Sequence, residues 1–273
     1  MRKGHQDFVT VVSDIDQSQL IEVIDSHEQQ GIMEVLIQQP IEVREQVLEV
    51  SVDMWGGFPK VIQEVFPNAI VVYDRFHVMK YVNEELNKIR IQCNIKGKGS
   101  RFIVLRNGVD LKEEEGVKLA TVLSQSKRIK LAYELKEEFR EIFESHHSVS
   151  EGKESLLEWI KKAQPIYSDT LTMLRNHIDG ICNYFLNRTT SGVMEGINNR
   201  LKVIKRQAYG FVNFENFRAR LLACFSNEFL LSPQTQKTQV CQDLVTELMR
   251  IRSNKRPFFQ KGIRARTLII STL

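Results

Sequence analysis

The stretch Val47-Leu48-Glu49-Val50-Ser51-Val52-Asp53-Met54-Trp55-Gly56-Gly57 decides the reading of this chain. Its first six residues are rich in β-branched side chains and read as a strand. The strand closes on a carboxylate and a glycine pair. Phe58 to Phe66 then follows at helical spacing, with Pro59 in the first turn. Pro67-Asn68 punctuates, and Ala69-Ile70-Val71-Val72-Tyr73 is a short apolar run of the kind buried in parallel sheets. It also closes on an acid, Asp74. Two strand-to-helix steps, each with Asp at the carboxyl end of the strand, predict an α/β layer whose functional edge carries acids.

Upstream, Phe8 to Val12 and Leu20 to Ile24 read as two strands joined by the polar Asp16-Gln17-Ser18, a hairpin. Gly31 to Gln38 has helical spacing. The order is therefore strand, strand, helix, strand, helix, strand. Downstream the character changes. From Val78 to about Phe185 the periodicity is helical, with Phe102-Ile103-Val104-Leu105 as the one strand-like run. Lys127 to Phe143 places Leu131, Leu135, Phe139 and Phe143 four residues apart, and Ser155 to Ala163 is another helix. Gly97 to Ser100 and Ser145 to Gly152 read as loops. Ser191 to Arg206 is a helix with Ser191 as N-cap and Gly210 as stop, and Phe214 to Phe229 is the next. Beyond Ser232-Pro233 the signal weakens to an isolated apolar patch, Leu268-Ile269-Ile270.

Composition bounds the function. The 273 residues are 42% hydrophobic and 26% charged, an ordinary globular balance. Cys93, Cys182, Cys224 and Cys241 form no CxxC pair, which argues against a zinc ribbon or a disulfide scaffold and for reduced thiols in the cytoplasm. No apolar run reaches membrane-spanning length. Charge is uneven: residues 1–195 carry 24 Lys+Arg against 30 Asp+Glu, whereas residues 196–273 carry 14 against 4. A basic C-terminal quarter on a weakly acidic body points to a polyanion partner.

Three positions could carry chemistry. Asp53 and Asp74 end the two buried strands, and Asp74 leads into Arg75-Phe76-His77. Asp53 also has a plain structural reading as a helix N-cap or turn acid, Asp74 as the partner of an ion pair with the adjacent Arg75, and His77 as a satisfied core or capping histidine. The third is Glu195. On a helix, Glu195, Asn198, Asn199 and Lys202 share one face, while Val193, Ile197, Leu201 and Ile204 share another. Carboxylates at strand ends plus one on a late helix form an oxygen-rich set suited to Mg²⁺ or Mn²⁺. Two such ions about 4 Å apart clamp the attacking and leaving oxygens of a phosphodiester. Asn198, Asn199, Arg200, Lys202, Lys205 and Arg206 would hold the DNA backbone.

With these residues in view, the chain resembles the DDE-type transposases of bacterial insertion sequences, the ISL-three group. Three stretches carry the likeness: Lys3-Gly4-His5 with the hairpin, Val52-Asp53-Met54 through Phe66-Pro67-Asn68-Ala69 to Asp74-Arg75-Phe76-His77, and Arg188-Thr189-Thr190-Ser191-Gly192 through Glu195-Gly196-Ile197-Asn198-Asn199 to Ala208-Tyr209-Gly210-Phe211. The resemblance implies a ribonuclease-H-like mixed sheet, a large all-α insertion before the last acid, and a helical C-terminal part. It implies Mg²⁺-dependent DNA cleavage and strand transfer. Asp53 matches the family's second acid and Glu195 its third, both metal ligands; Asp74 and His77 match a characteristic stretch with a supporting role. Transposon-end and target DNA are the implied partners, with a homo-oligomer when complete.

One departure stands out. The family's first Asp lies on a strand just upstream of the Lys-Gly-His stretch, which here begins at Lys3, so the sequence predicts an N-terminally truncated copy with the central strand of the sheet missing. The hairpin and the parallel strands would each lose a ladder partner. Asp7, Asp14 and Asp16 are the nearby acids, and a strand's advance of about 3.3 Å per residue keeps the hairpin tip away from Asp53. The expected organisation is residues 1–77 in the first part of the catalytic domain, 78–187 in the insertion, 188–228 in the helices with the last acid, and 229–273 as a divergent basic tail. The alternative to a transposase is a non-catalytic DNA-binding remnant that inhibits a full-length copy.

Overall fold

The computed structural model describes residues 9–145, 147–189, 192–207, 213–225 and 267–272, with backbone alone at 192–195, 207 and 272. The chain divides into two units, residues 1–71 with 190–273, and residues 72–189.

The first unit is built on the hairpin β1 (Thr10–Asp14) and β2 (Gln19–Ile24), then α1 (Gln29–Leu36), α2 (Ile41–Arg44), β3 (Glu49–Val52) and α3 (Phe58–Val65). The strand β4 (Ile70–Tyr73) comes next. Far along the chain come α11 (Gly192–Gln207), α12 (Phe214–Phe225) and β5 (Thr267–Thr272). The strand order is β2-β1-β5-β3-β4. The sheet is mixed: β5 runs antiparallel to β1 and parallel to β3.

The hairpin and the two strand-to-helix steps stand where the sequence predicts them. The centre of the sheet does not. An unfilled central position is expected, yet Thr267–Thr272 lies there and gives both β1 and β3 a ladder partner. Its physical basis is the apolar patch: Leu268, Ile269 and Ile270 are at most 4% exposed. A continuous apolar run suits a strand paired on both edges and covered on both faces. Core residues of β1, β2 and β5 (Val11, Leu20, Val23 and Ile269), with Val9 just before β1, pack with Ile197, Leu201 and Ile204 of α11 and with Phe217, Leu221 and Phe225 of α12. One sheet face is thus covered by the two late helices. On α3, Phe58, Val61, Ile62 and Val65 form the buried stripe, and the helix packs on α1.

The second unit is helical: α4 (Arg75–Gln92), α5 (Ser100–Leu105), α6 (Glu113–Leu123), α7 (Lys127–Glu144), α8 (Val149–Ala163), α9 (Asp169–Cys182) and α10 (Tyr184–Asn187), with one 3₁₀ turn at Gly108–Asp110. Helix α7 packs on α4 and α8, and α9 on α4 and α8. Trp159 and Tyr167 are buried, and each polar tip donates to an α7 carbonyl: indole Nε1 to Leu135 at 2.8 Å, hydroxyl to Ala132 at 2.7 Å.

Three local expectations change. Phe102–Leu105 is helix, not strand. A short apolar run does not reveal its period, and here Ile103 and Val104 are buried while Phe102 is exposed. Leu131 is 40% exposed, because residues spaced strictly by four drift around a helix of 3.6 residues per turn; the buried stripe passes through Ile129, Ala132, Leu135 and Phe139 instead. The stretch 149–152 is helix rather than loop. A capping box between Ser148 and Glu151 starts α8 early, and Gly152 is no breaker: a Cβ there would stand 2.2 Å from the Phe185 ring. The Ser191 cap, the Gly210 stop and Cys241 lie outside the described residues. Cys93, Cys182 and Cys224 are free thiols.

Candidate nucleic-acid interface and acidic site

Asp53 is positioned by the turn that leaves β3. One carboxylate oxygen accepts the Trp55 amide at 2.9 Å and fixes that turn. The Trp55 ring lies edge-on to Phe58 at 4.8 Å and lies over Gly57, where a Cβ would meet the indole at 2.1 Å. Glycine at 57 is what lets the indole close over the turn.

The pairing of β3 with β5 ends at Ser51 with Ile269 and Val52 with Ile270, and Asp53 is the next residue, in the turn that leaves the strand. Ile269 packs against α11 and α12. Asp14 is paired with Leu268. Its carboxylate is buried, accepts the Gln17 amide at 3.0 Å through one oxygen, and has no partner at the other. Burial pushes its pKa up.

Helix α11 brings the backbone of Glu195 and the amide and basic residues into the same unit as Asp53. Asn199, Lys202 and Arg206 are exposed, and Lys205 is half-buried. Asn198 is half-buried with its carbonyl oxygen buried and unpartnered. Arg200 plays a structural part. Its guanidinium donates to the Cys224 carbonyl at 2.6 Å and lies 4.5 Å from the Phe225 ring centre, which closes the end of α12. Nearby, Arg218 of α12 forks onto both oxygens of the buried Glu22.

In the second unit, Asp74 and His77 come together. Asp74 caps α4 by accepting the Phe76 amide at 2.9 Å, and its second oxygen lies 3.1 Å from His77 Nδ1. The ion pair with Arg75 that the sequence suggests does not form: Asp74 caps the helix, and Arg75 pairs with Glu144 instead. Two groupings escaped sequence reasoning. Arg188, in a left-handed conformation with φ 52°, donates to the Phe143, Glu144 and Ser145 carbonyls and so caps α7. Tyr73 hydroxyl meets His177 Nδ1 at 2.9 Å, at a non-helical residue within α9. Partners 43 or more residues apart leave no local signal.

Among the described residues, no three of His, Cys, Asp and Glu cluster closely enough to hold a metal ion together. Glu195, the other acid of the predicted set, is described by its backbone alone.

A family model for transposases of the ISL3-type DDE class matches residues 1–221. The chain belongs to this transposase family. It is 28% identical over 243 residues to the transposase for insertion sequence element IS1001 of Bordetella parapertussis, covering 82% of this chain and 59% of that protein. It is 26% identical over 247 residues to the transposase for element IS1557 of Mycobacterium tuberculosis, covering 77% and 54%. The chain thus spans a little over half the length of these relatives. No solved structure matches it. No described helix of this transposase-family chain is long and apolar enough to cross a membrane.

Proposed function

We propose that this chain handles DNA as the core of an insertion-sequence transposase, contributing Asp53 and Glu195 to cleavage and strand transfer. One observation carries the reading. Asp53 leaves the end of β3 in the same unit as α11, and α11 carries the third acid's position and an exposed basic surface. The strand order, an antiparallel hairpin on one side of a central strand and the parallel β3 followed by β4 on the other, is the order a ribonuclease-H-like sheet has, and it supports the same reading. Lys202, Lys205 and Arg206 hold backbone phosphates, with Asn198 and Asn199 beside them. Arg200 contributes indirectly by closing α12. Asp74 and His77 fix the start of α4 within the second unit. A bound Mg²⁺ or Mn²⁺ supplies Lewis-acid activation of the phosphodiester. Asp53 and Glu195 are the residues that would hold it.

The test is nicking of supercoiled plasmid with Mg²⁺ or Mn²⁺ by the wild type, Asp53→Asn and Glu195→Ala. Metal-dependent nicking lost in both variants supports this reading; nicking unchanged by either substitution contradicts the assignment of that acid. A second reading, DNA binding without cleavage, is favoured by a specific observation: the described residues of the central strand, Thr267–Thr272, carry no acid. In that case the wild type binds plasmid and never nicks it.

A further inference from the structure

A second group of cations gathers at one end of the helical unit. Residues 86–109 contain six Lys and Arg and no Asp or Glu, and residues 116–133 contain four and again no acid. The two stretches meet in space. Cys93 is the C-cap of α4 and Ser126 the N-cap of α7, and the Ser126 hydroxyl lies 3.5 Å from the Cys93 thiol. Helix α4 also packs on α5. Lys96 and Lys98 follow α4, Arg101 is in the first turn of α5, and Lys127 and Arg128 open α7; all five are exposed.

These five differ from other cations of the same unit. Lys88 is tied to Asp169 at 3.0 Å, Lys153 to Asp179 at 2.6 Å and Lys162 to Glu138 at 2.6 Å. The side chains of Lys96, Lys98, Arg101, Lys127 and Arg128 have no acid or hydrogen-bond partner among the described residues. Unpaired like charges held side by side repel one another and raise the local potential, which attracts a polyanion.

The loop between α4 and α5 is also held in shape. Helix α4 stops in a Schellman arrangement: Asn94, at φ 58°, donates its amide to the Ile91 carbonyl, and Ile95 donates to Arg90. The buried Arg90 guanidinium donates in turn to the Ile95 carbonyl and, at 3.2 Å, to the Ser100 hydroxyl. One side chain thus pins both ends of Lys96-Gly97-Lys98-Gly99. Between the pins the loop stands clear: a Cβ at Gly97 or Gly99 would meet nothing within 4 Å. Gly99 sits at φ 81°, where only glycine is unstrained. A loop already ordered loses little further freedom on binding.

We propose that this end of the helical unit is a second DNA-backbone surface, on which Lys96, Lys98, Arg101, Lys127 and Arg128 hold duplex phosphates. The inference rests on DNA as the polyanion that this transposase-family chain handles. It goes beyond α11, whose cations belong to the other unit. Exposed Lys and Arg with no base-reading partner beside them bind phosphate irrespective of sequence.

The experiment is fluorescence anisotropy of the full chain with a labelled duplex of arbitrary sequence across a salt series. The proteins are the wild type, Lys96→Gln/Lys98→Gln/Arg101→Gln, and Lys202→Ala/Lys205→Ala/Arg206→Ala. The expected result for the loop variant is a slope of log affinity against log salt about 2–3 units shallower, with an unchanged unfolding temperature because these side chains touch no partner. On the wild type, acetylation of Lys96, Lys98 and Lys127, read by mass spectrometry, slows severalfold when duplex is added. An unchanged slope in the folded loop variant overturns the proposal. So does equal acetylation with and without duplex, which decides the matter even where a variant fails to fold. Binding to phosphatidylserine vesicles that is lost in the loop variant, with the duplex slope unchanged, assigns the surface to a membrane and also overturns it. A slope lowered in the loop variant and unchanged in the α11 variant supports this surface and removes α11; the reverse removes this surface alone.

Discussion

Replacing Arg218 with alanine removes the partner of a carboxylate that has almost no access to water. Glu22 is 1% exposed and the Arg218 side chain is 14% exposed, so solvent screens the pair little. The guanidinium forks onto both carboxylate oxygens, and the Val23 amide donates to one of them at 2.7 Å. Burial pushes the Glu22 pKa up even with Arg218 in place. Without Arg218 a single amide remains to compensate the charge. Breaking a buried pair from one side costs about 3–5 kcal/mol. That is a large share of the roughly 5–15 kcal/mol by which domains are stable. The contact also ties α12 to the edge strand β2, so the loss falls on the helix that covers the sheet. The sign with pH is set by the raised pKa. A carboxyl whose folded pKa lies above its unfolded value gives stability that is complete below the unfolded pKa and is lost as pH rises through the folded one. Removing Arg218 pushes the folded pKa higher still, so the penalty is greatest near neutrality and shrinks toward about pH 4.5. The assay is urea unfolding followed by circular dichroism at pH 7 and pH 5, on the wild type, Arg218→Ala, and Arg218→Ala with Glu22→Gln. The double variant recovers stability at pH 7 because no charge is left buried. A loss below about 1 kcal/mol at pH 7, the range of an exposed pair, or no recovery with Glu22→Gln, refutes the reasoning.

Glu85 of α4 accepts the Ser168, Asp169 and Thr170 amides at the start of α9, so Glu85→Ala leaves those donors unpaired, costs about 2–4 kcal/mol and raises amide hydrogen exchange at 168–170. Asp14→Asn keeps the oxygen that accepts Gln17 and removes a buried charge; it stabilises by about 0.5–1 kcal/mol at pH 7, and the gain fades as pH falls through the raised folded pKa of Asp14, as unfolding at pH 7 and pH 4 will show. Arg200→Ala lowers the unfolding midpoint by loosening α12 and leaves the salt dependence of DNA binding nearly unchanged, whereas Lys202→Ala does the reverse; measuring both properties on both variants separates cap from phosphate contact.

The elements that come from local pattern were legible. The hairpin, β3, β4 and the helices after them arise from alternating or helical spacing closed by Asp, Gly and Pro. The acid at the end of β3 was legible too, because a strand end followed by Gly56-Gly57 is itself a local signal. The central strand was not. Leu268-Ile269-Ile270 shows only that something apolar must be buried, and its pairing with residues 10–14 and 49–52 is decided by tertiary contact across more than 200 positions. The division of labour on α11 was half legible. Spacing separates Ile197, Leu201 and Ile204 from the polar residues, but nothing in it assigns Arg200 to the end of α12. Asp74 misleads locally: its adjacency to Arg75 suggests an ion pair, whereas its oxygens go to the Phe76 amide and to His77, and Arg75 reaches Glu144.

The central claim is that α11 presents this transposase-family chain to DNA. Its most direct test is fluorescence anisotropy of a labelled duplex across a salt series, for the wild type and for Lys202→Ala/Lys205→Ala/Arg206→Ala. Each phosphate contact contributes about −0.9 to the slope of log affinity against log salt. The account predicts salt-sensitive binding by the wild type and a slope about 2–3 units shallower in the triple variant. Binding that ignores ionic strength, or an unchanged slope in the triple variant, would contradict it.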